Sequence, residues 1–144
     1  ETLDCQGSIM AIAGLKRLEI LPKQHTVLDW MVPAPSQGAL LVTALESNKN
    51  LMSKFSPLND DETALCVAQE RIFLRELEGG CTAPIGALAK MEGDQIHFVG
   101  NITQKGGKKQ LVFDQYMPLE NAHDIGSIAA KELLSRGAKA LLNG

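Results

Sequence analysis

The chain has 144 residues, 44% hydrophobic and 22% charged, with a formal net charge of −3. This is the composition of a soluble globular chain, either one domain or a small domain plus part of another. The mild negative charge argues against a general nucleic-acid surface, and no apolar run approaches the roughly 18 residues that cross a bilayer.

Residues 1–20 carry Glu1 and Asp4 and lack the basic stretch and long apolar run of a secretory signal. Cys5, Cys66 and Cys81 show no paired spacing. That speaks against a disulfide framework and for a reducing, cytoplasmic compartment. There is no CxxC or HxxxH pair, so no metal site is expected, and His25, His97 and His123 read as surface or packing residues.

The small apolar residues from Gly7 to Leu15, followed by Lys16-Arg17, suggest a buried strand running into a short helix, although the period is too brief to decide. With nothing before Glu1 to pair it, this stretch reads as the end of a domain that begins elsewhere. Lys16 and Arg17 are either a solvated corner or, beside helix N-terminal amides, a holder of an anion. Pro33-Ala34-Pro35-Ser36-Gln37 is an extended connector, because proline disfavours helical backbone in the residue before it. Gly38 to Leu45 is predicted as an apolar strand buried on both faces. Asn48 caps a short helix through Phe55, and Ser56-Pro57-Leu58-Asn59 marks a boundary.

From Asp60 the pattern sharpens. Asp60, Asp61 and Glu62 sit where a helix N-terminus favours negative charge, and Leu65, Ala68, Ile72, Phe73 and Leu77 form its apolar face. Gly79-Gly80 ends it. Ile85–Met91, Gln95–Thr103 and Lys109–Met117 follow as strands, joined by Glu92-Gly93-Asp94 and Lys105-Gly106-Gly107-Lys108 turns, an antiparallel meander. Asn121 or His123-Asp124 opens a last helix with Ile125, Ile128, Ala129, Leu133 and Leu134 inward, and Gly137 interrupts it before a final turn over 138–142. The fold class is α+β: a C-terminal three-stranded antiparallel sheet with helices on one face.

Cys81 follows Gly79-Gly80 and precedes Pro84, on a loop and not in a core. It is either a free thiol of no consequence, a nucleophile or an attachment point. A nucleophile needs a base or cation to lower its pKa, and the local residue is Glu78, of the wrong sign. Attachment needs only exposure and room. Arg71 and Arg75 share a helix face; they either pair with Glu70 and Glu78 or bind a carboxylate through their planar forks. Ser36-Gln37-Gly38 is a turn where backbone can approach a ligand.

Together these segments resemble the porphobilinogen deaminase (hydroxymethylbilane synthase) family. Ala13-Gly14-Leu15-Lys16-Arg17-Leu18 looks like its AGLKRL segment, and Pro33-Ala34-Pro35-Ser36-Gln37-Gly38-Ala39-Leu40 like its PAxGQGAL segment, with Ser36 in place of the usual glycine. Leu58-Asn59-Asp60-Asp61-Glu62-Thr63 with Glu70-Arg71-Ile72-Phe73-Leu74 looks like its LN-x-x-ET…ERxFL helix. Leu77-Glu78-Gly79-Gly80-Cys81 with Pro84-Ile85-Gly86 looks like its LEGGCxxPIG loop.

The resemblance implies residues 1–57 as the C-terminal remnant of two periplasmic-binding-protein-like α/β cleft domains, and 58–144 as the cofactor-carrying α+β domain. It implies a dipyrromethane cofactor bound covalently through Cys81, with Arg17, Arg71, Gln37, Gly38 and Gly80 in the cofactor and substrate site. The activity it implies is tetrapyrrole (haem) biosynthesis: four porphobilinogen molecules condense with loss of ammonia on the dipyrromethane, and hydroxymethylbilane is released. The partners implied are porphobilinogen, the growing polypyrrole and the N-terminal domains, with no nucleic acid and no membrane. The family's catalytic aspartate has no counterpart here, so the chain alone is expected to be inactive. The alternative is a non-enzymatic, degenerate C-terminal region used for binding or assembly.

Overall fold

A computed structural model describes residues 6–79 and 83–143. Cys5, Gly80 and Cys81 lie outside the described residues. The chain divides into two compact units, Glu1–Met31 and Val32–Gly144.

The first unit contains one short helix, α1 (Ile12–Arg17). The strand expected before it does not form, and Ile9 and Met10 are 73% and 62% exposed. A strand needs a hydrogen-bonded neighbour, and none runs beside this segment among the described residues. Lys16 and Arg17 occupy the last turn of α1, the end that exposes carbonyls instead of amides. They complement the helix dipole there, which agrees with the solvated-corner reading and not with the alternative of an anion held by N-terminal amides.

In the second unit, α2 (Lys49–Phe55) starts where Asn48 accepts from the Leu51 amide at 3.1 Å, as its sequence position predicts. A 3-10 turn, Ser56–Leu58, leads to α3 (Asp61–Glu76), whose cap Asp60 accepts from the Thr63 amide at 2.7 Å. Three strands follow, β1 (Ile85–Glu92), β2 (Gln95–Thr103) and β3 (Gln110–Pro118), in an antiparallel sheet of order β1-β2-β3. Glu92 pairs with Gln95 and Thr103 with Gln110, so both tight turns fall where the glycines put them. A 3-10 segment, Leu119–Asp124, precedes α4 (Ile125–Ser135); Gly137 at φ +93° breaks the chain into α5 (Ala138–Asn143).

Period-two alternation makes one sheet face the core. Ala87, Ala89, Ile96, Phe98, Ile102 and Phe113 are buried there. The aromatic rings form an edge-to-face chain, Phe73 to Phe98 at 5.5 Å and Phe98 to Phe113 at 6.2 Å. Helix α3 packs on β1 and α4, and α4 packs on β3, so the helices cover one face of the sheet, as predicted. On the opposite face His97 stacks on Tyr116 and its Nε2 lies 2.6 Å from Asp114, a cross-strand packing cluster. No described helix is long and apolar enough to cross a membrane.

Two expectations need correction. The buried stripe of α3 is Cys66, Gln69, Glu70 and Phe73, continued by Leu77, whereas Ala68 faces outward. Phe73 and Leu77 are buried as expected and Leu65 packs against the core, while Ile72 lies along the outer groove; two polar residues join the core stripe because backbone amides take up their oxygens. Gly38–Leu45 is irregular, and Leu40 is fully exposed, because no strand pairs with it among the described residues.

Candidate functional site

Helix α3 carries the site. Its C-terminus is a Schellman ending: the Glu78 amide donates to Arg75 O and the Gly79 amide to Leu74 O, both at 3.0 Å. The left-handed residue is Glu78 (φ +56°), not a glycine. At Gly79 an added Cβ would press on the ends of the Ile85 and Leu74 side chains. Gly79 thus lies close to Ile85, and the Glu78 side chain is in solvent. Lys139 of α5 lies 3.9 Å from the Glu78 carboxylate. The predicted cofactor residues Gly80 and Cys81 fall outside the described residues.

One helix turn back, Arg71 and Arg75 are exposed on the face opposite the core. Neither forms a salt bridge among the described residues. The ion pairs that their acidic neighbours suggested do not form: Glu78 faces Lys139, and Glu70 is buried. Both guanidinium groups open onto a groove of about 970 Å³ between α3 and residues 38–42, floored by Ala64, Val67, Ala68 and Ile72. An apolar trough with two unneutralised forks at its rim suits a flat apolar molecule bearing carboxylates.

Ser36 and Gly38 line the same groove. Here the connector turns back on itself, with the Gln37 amide donating to Ala34 O at 3.0 Å and the Ala34 amide to Gln37 Oε1 at 3.1 Å. Ser36 lies at φ +64° and Gly38 at φ +90°. A non-glycine residue is strained at Ser36, the position where the resemblance expects glycine. Its hydroxyl is buried without a hydrogen-bond partner. Arg17 belongs to the other unit, exposed at the end of α1.

The residue that sequence reasoning missed is Glu70. Read as an ion-pair partner on a solvated surface, it is 5% exposed. Its two oxygens accept from different segments: Oε2 from the Ser36 amide at 2.6 Å and Oε1 from the Ala89 amide at 2.8 Å. Burial pushes its carboxyl above the ordinary range, against the two amides, which hold it down. Cys66, one turn earlier, is a free buried thiol. Burial raises its pKa, reinforced by the Glu70, Glu62 and Asp60 carboxylates, so it stays protonated and inert.

Residues 64–135 match the family model "Porphobilinogen deaminase, C-terminal domain", and residues 1–53 match "Porphobilinogen deaminase, dipyromethane cofactor binding domain". A porphobilinogen deaminase of Syntrophotalea carbinolica is 35% identical over 99% of this chain and 46% of its own length. One of Stenotrophomonas maltophilia is 36% identical over 94% of this chain and 45% of its own length. One of Listeria welshimeri is 36% identical over 93% and 44%. The chain thus spans a little under half the length of these curated relatives.

Proposed function

The chain belongs to the porphobilinogen deaminase family, and from that membership we propose that it forms the C-terminal part of a hydroxymethylbilane synthase. The observation that carries this reading is the ordered pair of family matches, 1–53 and 64–135. In this reading residues 1–57 complete the cleft domains, which resemble periplasmic binding proteins, and 58–144 form the cofactor-carrying domain. Cys81 tethers a dipyrromethane by a thioether, and Gly80 adjoins it in sequence. The unpaired state of Arg71 supports its assignment to an acetate or propionate group of a pyrrole. Gln37 and Gly38 offer the adjoining turn; Arg17, in the other unit, is assigned to carboxylate binding by the family resemblance alone.

The bound dipyrromethane supplies the nucleophilic pyrrole carbon onto which porphobilinogen units are added. This chain's residues bind and orient; proton transfer belongs to an aspartate in the part of the relatives that the chain does not match. The 144 residues alone are therefore inactive in this reading, and the enzyme works in the cytoplasm on a small soluble substrate.

Intact mass and Ehrlich's reagent test the proposal on the full-length protein. The wild type should carry a dipyrromethane adduct and consume porphobilinogen, and Cys81→Ser should do neither. Turnover by Cys81→Ser, or by the isolated 144-residue chain at the full-length rate, would overturn it. A full-length protein with no adduct and no turnover would favour the binding-module alternative.

A further inference from the structure

A carboxylate buried without a cation is costly, and an apolar side chain at the same place would be cheaper if packing were its only task. Glu70 faces no lysine, arginine or histidine within ion-pair distance among the described residues. Its charge is held instead by two backbone amides, on segments 34 and 19 residues away in sequence. The Ala89 amide lies on the outer edge of β1, where the Ala87 amide also donates, to Pro33 O at 2.9 Å. Glu70 thus joins the sheet edge to the connector at a second point, three residues beyond Pro33. At that point the backbone adopts a conformation that Ser36 does not favour. The next residue of α3, Arg71, faces the groove that Ser36 and Gly38 also line.

We propose that Glu70 is a positioning residue. Its buried carboxylate ties the Ser36-Gln37-Gly38 turn to the edge of β1 and fixes it beside Arg71, so that turn and guanidinium form one binding edge. One helix turn sets both halves of that edge, Glu70 inward through a backbone amide and Arg71 outward by its own fork. Oxygen placement is what matters: an amide side chain has one acceptor where the bracket needs two. The inference rests on the proposed function for its catalytic consequence, but not for the bracket itself.

The test uses Glu70→Gln in the full-length enzyme. The Pro33 O to Ala87 bond remains, so the variant should fold and keep its cofactor by intact mass. Its KM for porphobilinogen should rise about tenfold with a smaller change in kcat, the order expected when one buried amide loses its acceptor. Adding Ser36→Gly should recover part of that loss by removing the strain that the bracket opposes. Amide hydrogen exchange at Ser36 and Ala89 should accelerate in Glu70→Gln. Unchanged KM, or KM and kcat falling only in step with melting temperature, would overturn the positioning role. If wild-type enzyme shows no turnover, the functional reading fails while exchange still decides the bracket: retained protection at both amides overturns it, lost protection upholds it.

Discussion

Gly38–Leu45 and Ile85–Glu92 are stretches of eight residues that both read as apolar strands, and the first is the more apolar. Only the second is a strand. Ile85 and Ala87 are 6% and 0% exposed, whereas Leu40 and Leu45 are 100% and 77% exposed. The difference lies in the neighbour. Strand β1 finds β2 across a two-residue turn, so its pairing is local and inexpensive in loop entropy. Among the described residues Gly38–Leu45 has no such hairpin partner, and side-chain character alone supplies no hydrogen bonds. In the proposed reading its neighbours come from the portion of the relatives that the chain does not match.

Substitutions on the two sides should break this symmetry of composition most strongly. Phe73 is fully buried beneath Phe98, and Phe73→Ala should lower the unfolding free energy by about 3–5 kcal/mol, measured by denaturant unfolding. Leu40→Ala in the same 144 residues should change it by no more than about 0.5 kcal/mol, since the side chain is in water in both states. A large loss from Leu40→Ala in the isolated chain would show that the segment already has a partner. Next in size is Gly126, where α4 crosses α3 so closely that any Cβ would meet the Gln69 carbonyl. Gly126→Ala should cost about 1–3 kcal/mol by forcing the helices apart, read in the same experiment.

The legible part of the fold was the part whose interactions are local. Both hairpin turns, the Asn48 cap, the acidic start of α3 at Asp60 and the α4 to α5 break at Gly137 follow from short-range chemistry. What escaped depended on distant segments. Glu70 looks like a surface charge until Ser36 and Ala89 are brought to it, and Ala68 and Ile72 look like core until the other side of α3 is seen filled. Helix α3 is apolar on two sides, one against the sheet and one along the groove, and sequence cannot say which side is which. At the helix end the stop falls where the glycine signal put it, with Glu78 at positive φ and Gly79 close to Leu74 and Ile85.

Glu70 also gives the comparison a pH axis. Its folded carboxyl lies above the ordinary 4.5, chiefly through burial. The folded state therefore holds a proton that the unfolded chain releases first. Stability from this group is full below 4.5 and is lost as pH rises from there through the raised value. Other carboxylates titrate too, so the informative quantity is the wild-type profile minus that of Glu70→Gln, which should slope downward with pH above 4.5 and then level off. An upward slope would mean that the two amides outweigh burial.

The smallest effect separates the two regions through one kind of interaction. Asn48 and Asp60 each cap a helix by accepting from the amide three residues on, at 3.1 and 2.7 Å. Helix α2 buries no residue, whereas α3 buries four. Asp60→Ala should therefore lower the melting temperature of the whole α+β unit. Asn48→Ala should leave that temperature unchanged and show only as faster amide exchange at Leu51. The Thr63 bond holds the Asp60 carboxyl below its ordinary 3.8, so its contribution is present above 3.8 and disappears as pH falls through the lowered value. A cap reports on global stability only when its helix is coupled to the core. Equal melting shifts from the two variants would mean that α2 is as firmly coupled as α3, and that the contrast between the paired and unpaired strands does not extend to the helices beside them.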